Sequence, residues 1–184
     1  MDKAIDAEEK TQRIIMVTGG QRSGKSVFAE QLALKMSAHP TYFATARVLD
    51  EEMRKRVEIH KERRSNRWRN VEVPLGVDGI SFLPHETVLV DCLTMWAMNW
   101  LYEKNEDLDN ALSELKRQFD MLRASGASLI VVTNEIGLGG VSPNALQRKF
   151  ADLQGYINQY VASISDEVYM LVSGIPVKIK SESC

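Results

Sequence analysis

The run Gly19-Gly20-Gln21-Arg22-Ser23-Gly24-Lys25-Ser26 has the spacing G-x-x-x-x-G-K-[ST]. Each residue type in it suits a phosphate chain. Glycines let the backbone curl until its N–H groups converge on phosphate oxygens. A helix opening near Lys25 adds the positive end of its dipole. Lys25 supplies a point charge for the β- and γ-phosphates, Ser26 a hydroxyl for Mg²⁺, and Arg22 further charge inside the loop. The bland alternative is a glycine turn that happens to precede a helix. The context favours the phosphate reading, because an apolar strand precedes the loop and a helical pattern follows it. No G-x-G-x-x-G occurs, which argues against a dinucleotide fingerprint.

A phosphate loop needs an acid to share its metal. Asp91 closes the apolar run Thr87-Val88-Leu89-Val90, the pattern of a Walker-B strand. The same residue could cap the helix that begins at Leu93, and both roles are compatible. Glu135 is a second, weaker acid at a strand end.

His60 is a possible nucleophile. It lies in a basic run of Arg54, Lys55, Arg56, Lys61, Arg63, Arg64, Arg67 and Arg69, opposed by Glu58 and Glu62. Three readings of the run stand: a solvated helix face, a nucleic-acid patch, and a phosphate clamp facing the loop. The acidic net charge and the lack of interleaved aromatics weaken the second. Met53, Val57, His60 and Arg64 share one helical face. Surrounding cations favour the neutral imidazole, the form that attacks phosphorus. From spacing alone a lone histidine is more often structural or solvated than catalytic. His39 and His85, each beside a proline, read as ordinary surface residues.

The elements that must position these groups alternate. Strands are expected over 14–18, 41–46, 68–73, 87–91 and 128–134. Helices are expected over 25–38, 50–64, 93–104, 108–124 and 145–165. In the first of these, Val27, Leu32 and Leu34 stand out as apolar. A glycine-rich loop covers 137–144. A closing antiparallel hairpin covers 167–172 and 177–180, turning through Ser173-Gly174-Ile175-Pro176. Such alternation predicts a mainly parallel sheet with helices on both faces, with ligands beyond the carboxyl ends of the strands. The expected class is α/β, a P-loop NTPase of RecA-like type, with one nucleotide-binding domain over 13–181 and a disordered tail over 1–12.

Bulk properties agree. At 184 residues, 44% hydrophobic, 26% charged and net charge −2, the chain fits one globular domain with no general attraction to nucleic acid or membrane. Its two cysteines, Cys92 and Cys184, form no metal-ligand cluster and suggest a reduced, cytoplasmic setting. No apolar stretch is long enough for a membrane span. Core packing is the expected role of Cys92, Trp96 and Trp100.

Read together, the segments VTGGQRSGKS at 17–26, YFATAR at 42–47, LDEEMRKRVEIHKERR at 49–64, VLVDCLT at 88–94, VTNEIGLGG at 132–140, RKFADLQGYINQYVA at 148–162 and VSGIPVKIK at 172–180 resemble a known family. It is the bifunctional adenosylcobinamide kinase / adenosylcobinamide-phosphate guanylyltransferase family of cobalamin biosynthesis. The likeness runs over nearly the whole chain. It implies phosphorylation of adenosylcobinamide by ATP or GTP, then transfer of GMP from GTP to adenosylcobinamide phosphate. It implies that His60 carries the guanylyl group. It also implies nucleotide contacts at Gly19 to Ser26, at Ala44, Thr45 and Ala46, at Lys61, Glu62, Arg63 and Arg64, and at Glu72 and Asp91. Mg²⁺ as cofactor and a homotrimer complete the expectation. Asp91 stands where some relatives carry glutamate. The alternative is a P-loop small-molecule kinase without guanylyl transfer, for which His60 would be dispensable.

Overall fold

The computed structural model describes residues 11–47, 51 and 66–181. The helix expected over 50–64, with His60, Lys61, Glu62, Arg63 and Arg64, lies outside the described residues apart from Glu51. The described elements run β1 (Ile14–Gly19), α1 (Lys25–Met36), β2 (Thr41–Ala44), β3 (Arg69–Glu72), β4 (Thr87–Asp91), α2 (Leu93–Glu103), α3 (Leu108–Ala124), β5 (Ser128–Val132), a 3-10 turn (Gly137–Gly139), α4 (Ala145–Ile164), β6 (Glu167–Val172) and β7 (Ile175–Lys180).

The strands form one sheet in the order β3-β2-β4-β5-β1-β6-β7. All neighbours pair in parallel except β6 and β7. The central strands are short and apolar throughout, as strands covered on both faces must be. Their alternation divides the core in two. Met16, Phe43, Val88, Val90, Leu129 and Val131 pack with α2, α3 and α4. Ile15, Val17, Tyr42, Leu89, Ile130 and Val132 face α1. The expected α/β sheet with helices on both faces is what forms.

Local chemistry accounts for the helix ends. Asp107 caps α3 by accepting from the Asn110 N–H at 3.0 Å, and Asn144 caps α4 by accepting from the Gln147 N–H at 3.0 Å. Ala111, Leu115, Phe119 and Leu122 give α3 a buried stripe at helical spacing. α1 is seated by its smallest apolar residues. Ala29 and Ala33 are wholly buried, whereas Val27 is 45% exposed. Two small residues set the helix close on the sheet, so the larger apolar side chains lie at its flanks.

The hairpin differs from the expectation. The sequence reading turns through four residues and resumes at Val177. The strand resumes at Ile175, so only Ser173 and Gly174 turn. Their φ values of 51° and 83° suit a type I′ turn, whose twist matches its flanking strands. Pro176 marks the edge strand β7, where a missing N–H is tolerated, and not the turn. β6 itself runs parallel to β1, so β7 alone is reversed.

Candidate active site

The carboxyl ends of the parallel strands line up in one row. Glu72 pairs with Ala44, Ala44 with Asp91, Asp91 with Val132, and Val132 with Val17. Two residues beyond Val17, β1 ends in Gly19 and the loop begins. One strand, β5, therefore separates the loop-bearing strand from the strand bearing Asp91.

The loop is closely fitted. A Cβ on Gly19 would lie 2.7 Å from the Leu171 carbonyl oxygen and 2.7 Å from Ser23 Oγ, so no larger residue fits. Gly24 has φ 93°, and a Cβ there would meet Gly174 Cα at 3.2 Å. Gly174 in turn donates its N–H to the Ser23 carbonyl at 2.9 Å. The β6–β7 turn thus braces the loop from below. Arg22 holds a left-handed φ of 59° and is exposed. Gly24 caps α1 and offers no side chain, so no side-chain acceptor takes up the first N–H groups of that helix. These orphan donors are what a bound anion uses. Thr18 Oγ1 and Ser23 Oγ are buried without a partner. A buried hydroxyl in that state costs roughly 1–3 kcal/mol until an acceptor reaches it.

Lys25 is only 8% exposed, and its ammonium donates to the Gly20 carbonyl at 2.8 Å. Burial lowers its pKa, and the nearby Asp91 carboxylate opposes the shift. Burial and the Asp91 carboxylate push the Cys92 thiol up to about 12. The thiol is therefore neutral at pH 7, which leaves Asp91 as the anion supporting the lysine.

Asp91 is held from β2. Tyr42 donates its hydroxyl to Asp91 Oδ2 at 2.5 Å. Thr45 donates its N–H to the Asp91 carbonyl at 3.2 Å and its hydroxyl to the Cys92 carbonyl at 2.7 Å, while accepting the Cys92 N–H at 2.9 Å. Asn99 of α2 donates to the Thr45 carbonyl at 2.8 Å. The Asp91–Cys92 peptide is cis. Cys92, not Asp91, is the cap residue of α2, so the capping alternative for Asp91 falls away. On the other side of the loop, Glu135 donates its N–H to the Gly19 carbonyl at 3.1 Å. Thr133, Asn134, Gln154 and Asn158 form a buried hydrogen-bond network beneath the loop that follows.

Gly19, Gly20, Gln21, Arg22, Ser23, Gly24, Lys25 and Ser26 thus run continuously from the end of β1 into the first turn of α1, with Asp91 within electrostatic reach of Lys25. Ala44, Thr45 and Ala46 stand at the adjoining end of β2. Glu72 is set apart: four strand spacings of about 4.8 Å place it about 19 Å along the row from β1. It cannot share one phosphate group with the loop. His39 and His85 are exposed, as expected, while Trp96 and Trp100 are buried in the core with α2.

The donors suit the implied Mg²⁺. Ser26 and Asp91 would offer hard oxygen ligands, and a small cation that keeps waters and phosphate oxygens needs few protein groups. Among the described residues no cluster of three or more His, Cys, Asp or Glu could hold a metal by itself. No described helix is long and apolar enough to cross a membrane.

Sequence reasoning missed Tyr42, Thr45's clamp on Cys92, and the bracing turn at Gly174. Each acts across strands far apart in the chain, so no local motif announces it.

Known proteins are similar to this chain in sequence. The chain is 38% identical over 183 residues to the bifunctional adenosylcobalamin biosynthesis protein CobU of Escherichia coli, covering 91% of this chain and 99% of that one. The CobU of Salmonella typhimurium is 38% identical over 181 residues, with coverage of 91% and 99%. The bifunctional adenosylcobalamin biosynthesis protein CobP of Pseudomonas aeruginosa is 35% identical over 170 residues, with 91% and 97% covered. The family model described as cobinamide kinase / cobinamide phosphate guanyltransferase matches residues 15–179, which contain the loop, the His60 segment and Asp91, and the chain belongs to that family.

Proposed function

We propose that this enzyme catalyses both reactions of its family on a single domain spanning 13–181. In the first, the hydroxyl of the aminopropanol arm of adenosylcobinamide attacks the γ-phosphorus of ATP or GTP, and the nucleoside diphosphate leaves. In the second, a ring nitrogen of His60 attacks the α-phosphorus of GTP and expels pyrophosphate. A phosphate oxygen of adenosylcobinamide phosphate then displaces the histidine, giving adenosyl-GDP-cobinamide. Covalent catalysis divides one difficult displacement into two easier ones.

The observation that carries the reading is the Gly19–Ser26 loop at the head of α1, with buried Lys25 and Asp91 in mutual reach. Backbone N–H groups of the loop and of the first turn of α1 would orient the phosphates. Lys25 would meet charge developing on the transferred group. Ser26 and Asp91 would hold Mg²⁺, which when bound neutralises phosphate oxygens and keeps them aligned. Ala44, Thr45, Ala46, Lys61, Glu62, Arg63, Arg64 and Glu72 would contact nucleotide. The distance of Glu72 from the loop fits a contact remote from the transferred phosphate. The kinase-only alternative is not favoured, because the relatives named above are all called bifunctional. A homotrimer in the cytoplasm belongs to the same proposal, and light scattering of the purified protein measures the assembly.

The test uses GTP labelled at the α- or γ-phosphate, with Mg²⁺ and no acceptor. Acid-labile α-label on His60, released by adenosylcobinamide phosphate and lost in His60→Asn, is the expected result. Consumption of γ-phosphate with adenosylcobinamide but no α-label would reduce the enzyme to a kinase and remove His60 from the mechanism.

A further inference from the structure

We propose that Tyr42 is a positioning residue for the metal-binding carboxylate, acting through Asp91; the inference rests on the reading that Asp91 holds Mg²⁺. Tyr42 is 5% exposed, so its ring is fixed in the core between α1 and the sheet. Trp68 packs edge-on against it, with ring centroids 6.0 Å apart and planes at 82°. That packing aims the hydroxyl at Asp91 Oδ2, 2.5 Å away. A phenol has one proton to donate, and here it goes to a carboxylate, giving a short charge-assisted bond. The bond crosses diagonally between two neighbouring strands: Ala44 pairs with Asp91 and Tyr42 with Leu89, so Tyr42 stands two residues back along β2 from the position opposite Asp91.

The geometry has a chemical consequence. An aspartate on a short side chain has two torsions to lose before it can hold a metal at a defined angle. Donation to Oδ2 fixes the plane of the carboxylate, so the group enters metal binding already oriented. Groups that orient a metal-ligating carboxylate in this way change metal affinity about 10–100-fold when removed. Thr45 fixes the backbone of the same turn by its bonds to Asp91 and Cys92, so main chain and side chain are held separately. Tyr42 therefore governs metal binding without touching nucleotide.

The experiment measures binding of N-methylanthraniloyl-GDP to the full chain, first in EDTA and then across a Mg²⁺ titration. Tyr42→Phe keeps the ring and its packing and removes only the hydroxyl. The expected result is an unchanged nucleotide Kd in EDTA and a half-saturating Mg²⁺ concentration raised about 10–100-fold. An unshifted Mg²⁺ titration in Tyr42→Phe, or equal weakening with and without Mg²⁺, would overturn the proposal. Asp91→Asn is measured in parallel to separate the two layers. If Asp91→Asn shifts the titration and Tyr42→Phe does not, only the role of Tyr42 fails. If Asp91→Asn leaves the titration unmoved, the metal reading of Asp91 fails and the proposal with it.

Discussion

Lys25 has been drawn out of water at a point where the folded chain gains little from burying it. Its ordinary pKa is 10.5, and burial lowers the folded value. The unfolded chain therefore binds this proton more tightly than the folded one. By linkage, the contribution of this group to stability rises with pH between the lowered folded value and 10.5. Lys25→Met is expected to remove that rise, seen as a flatter dependence of the urea midpoint on pH as pH approaches 10.5. The same change should slow phosphoryl and guanylyl transfer by about 10²–10³-fold, the usual effect of losing one transition-state donor. An unchanged pH slope would mean that Lys25 is better solvated than its 8% exposure indicates. At this scale the sequence was highly legible wherever chemistry is local. Gly19 to Ser26 and Asp91 announce themselves by spacing and by the apolar runs before them. Tyr42 does not, because its partner is 49 residues away and meets it only through strand pairing.

The β6–β7 hairpin is the element whose role changes most once the fold is known. As a sequence it closes the sheet. In the fold its turn donates the Gly174 N–H to the Ser23 carbonyl and fills the space beneath Gly24. Gly174→Ala is expected to destabilise the protein by about 1–2 kcal/mol, the penalty for placing a side chain at left-handed φ. It should also weaken nucleotide binding about 2–10-fold by loosening one hydrogen bond to the loop. Denaturant unfolding and fluorescent-nucleotide titration read the two effects. Stability lost without any change in affinity would show that the turn does not support the loop. The element boundaries that propensity and periodicity define were found well: 87–91 and 108–124 coincide with β4 and α3. The hairpin turn was misplaced because proline is a turn signal in a sequence, whereas an edge strand also accepts it. Apolar positions alone do not reveal how α1 is seated, because alanine carries little weight in a hydrophobic pattern, although Ala29 and Ala33 are the residues that seat the helix.

At the scale of the molecule, the proposed phosphate site belongs to the whole sheet. Its walls come from β1, β2, β4 and β5, and its brace from β6 and β7, so a ligand bound there reports on global unfolding. Mg²⁺·GDP at about 100 times its Kd should add about 2.7 kcal/mol to stability. For a chain of this size that corresponds to a rise in Tm of roughly 5–11 °C. A scanning calorimetry trace in which only part of the heat absorption moves would instead reveal a unit that unfolds independently of the site. The class of fold was legible from alternation alone. The strand order β3-β2-β4-β5-β1-β6-β7 was not, since pairing partners are chosen by crossovers that leave no mark in periodicity.

That order has a consequence for how the protein comes to exist. β1, which launches the phosphate loop, has both its partners in the last third of the chain: β5 at Ser128–Val132 and β6 at Glu167–Val172. During synthesis, at about 5–20 residues per second, the loop-bearing strand leaves the ribosome early and waits several seconds or longer for its neighbours. Pairings so distant along the chain also fold slowly, because a long loop must close before any contact rewards it. A nascent chain halted before β5 has the complete motif but neither strand that flanks β1, so nucleotide capture must wait until β5 and β6 have emerged.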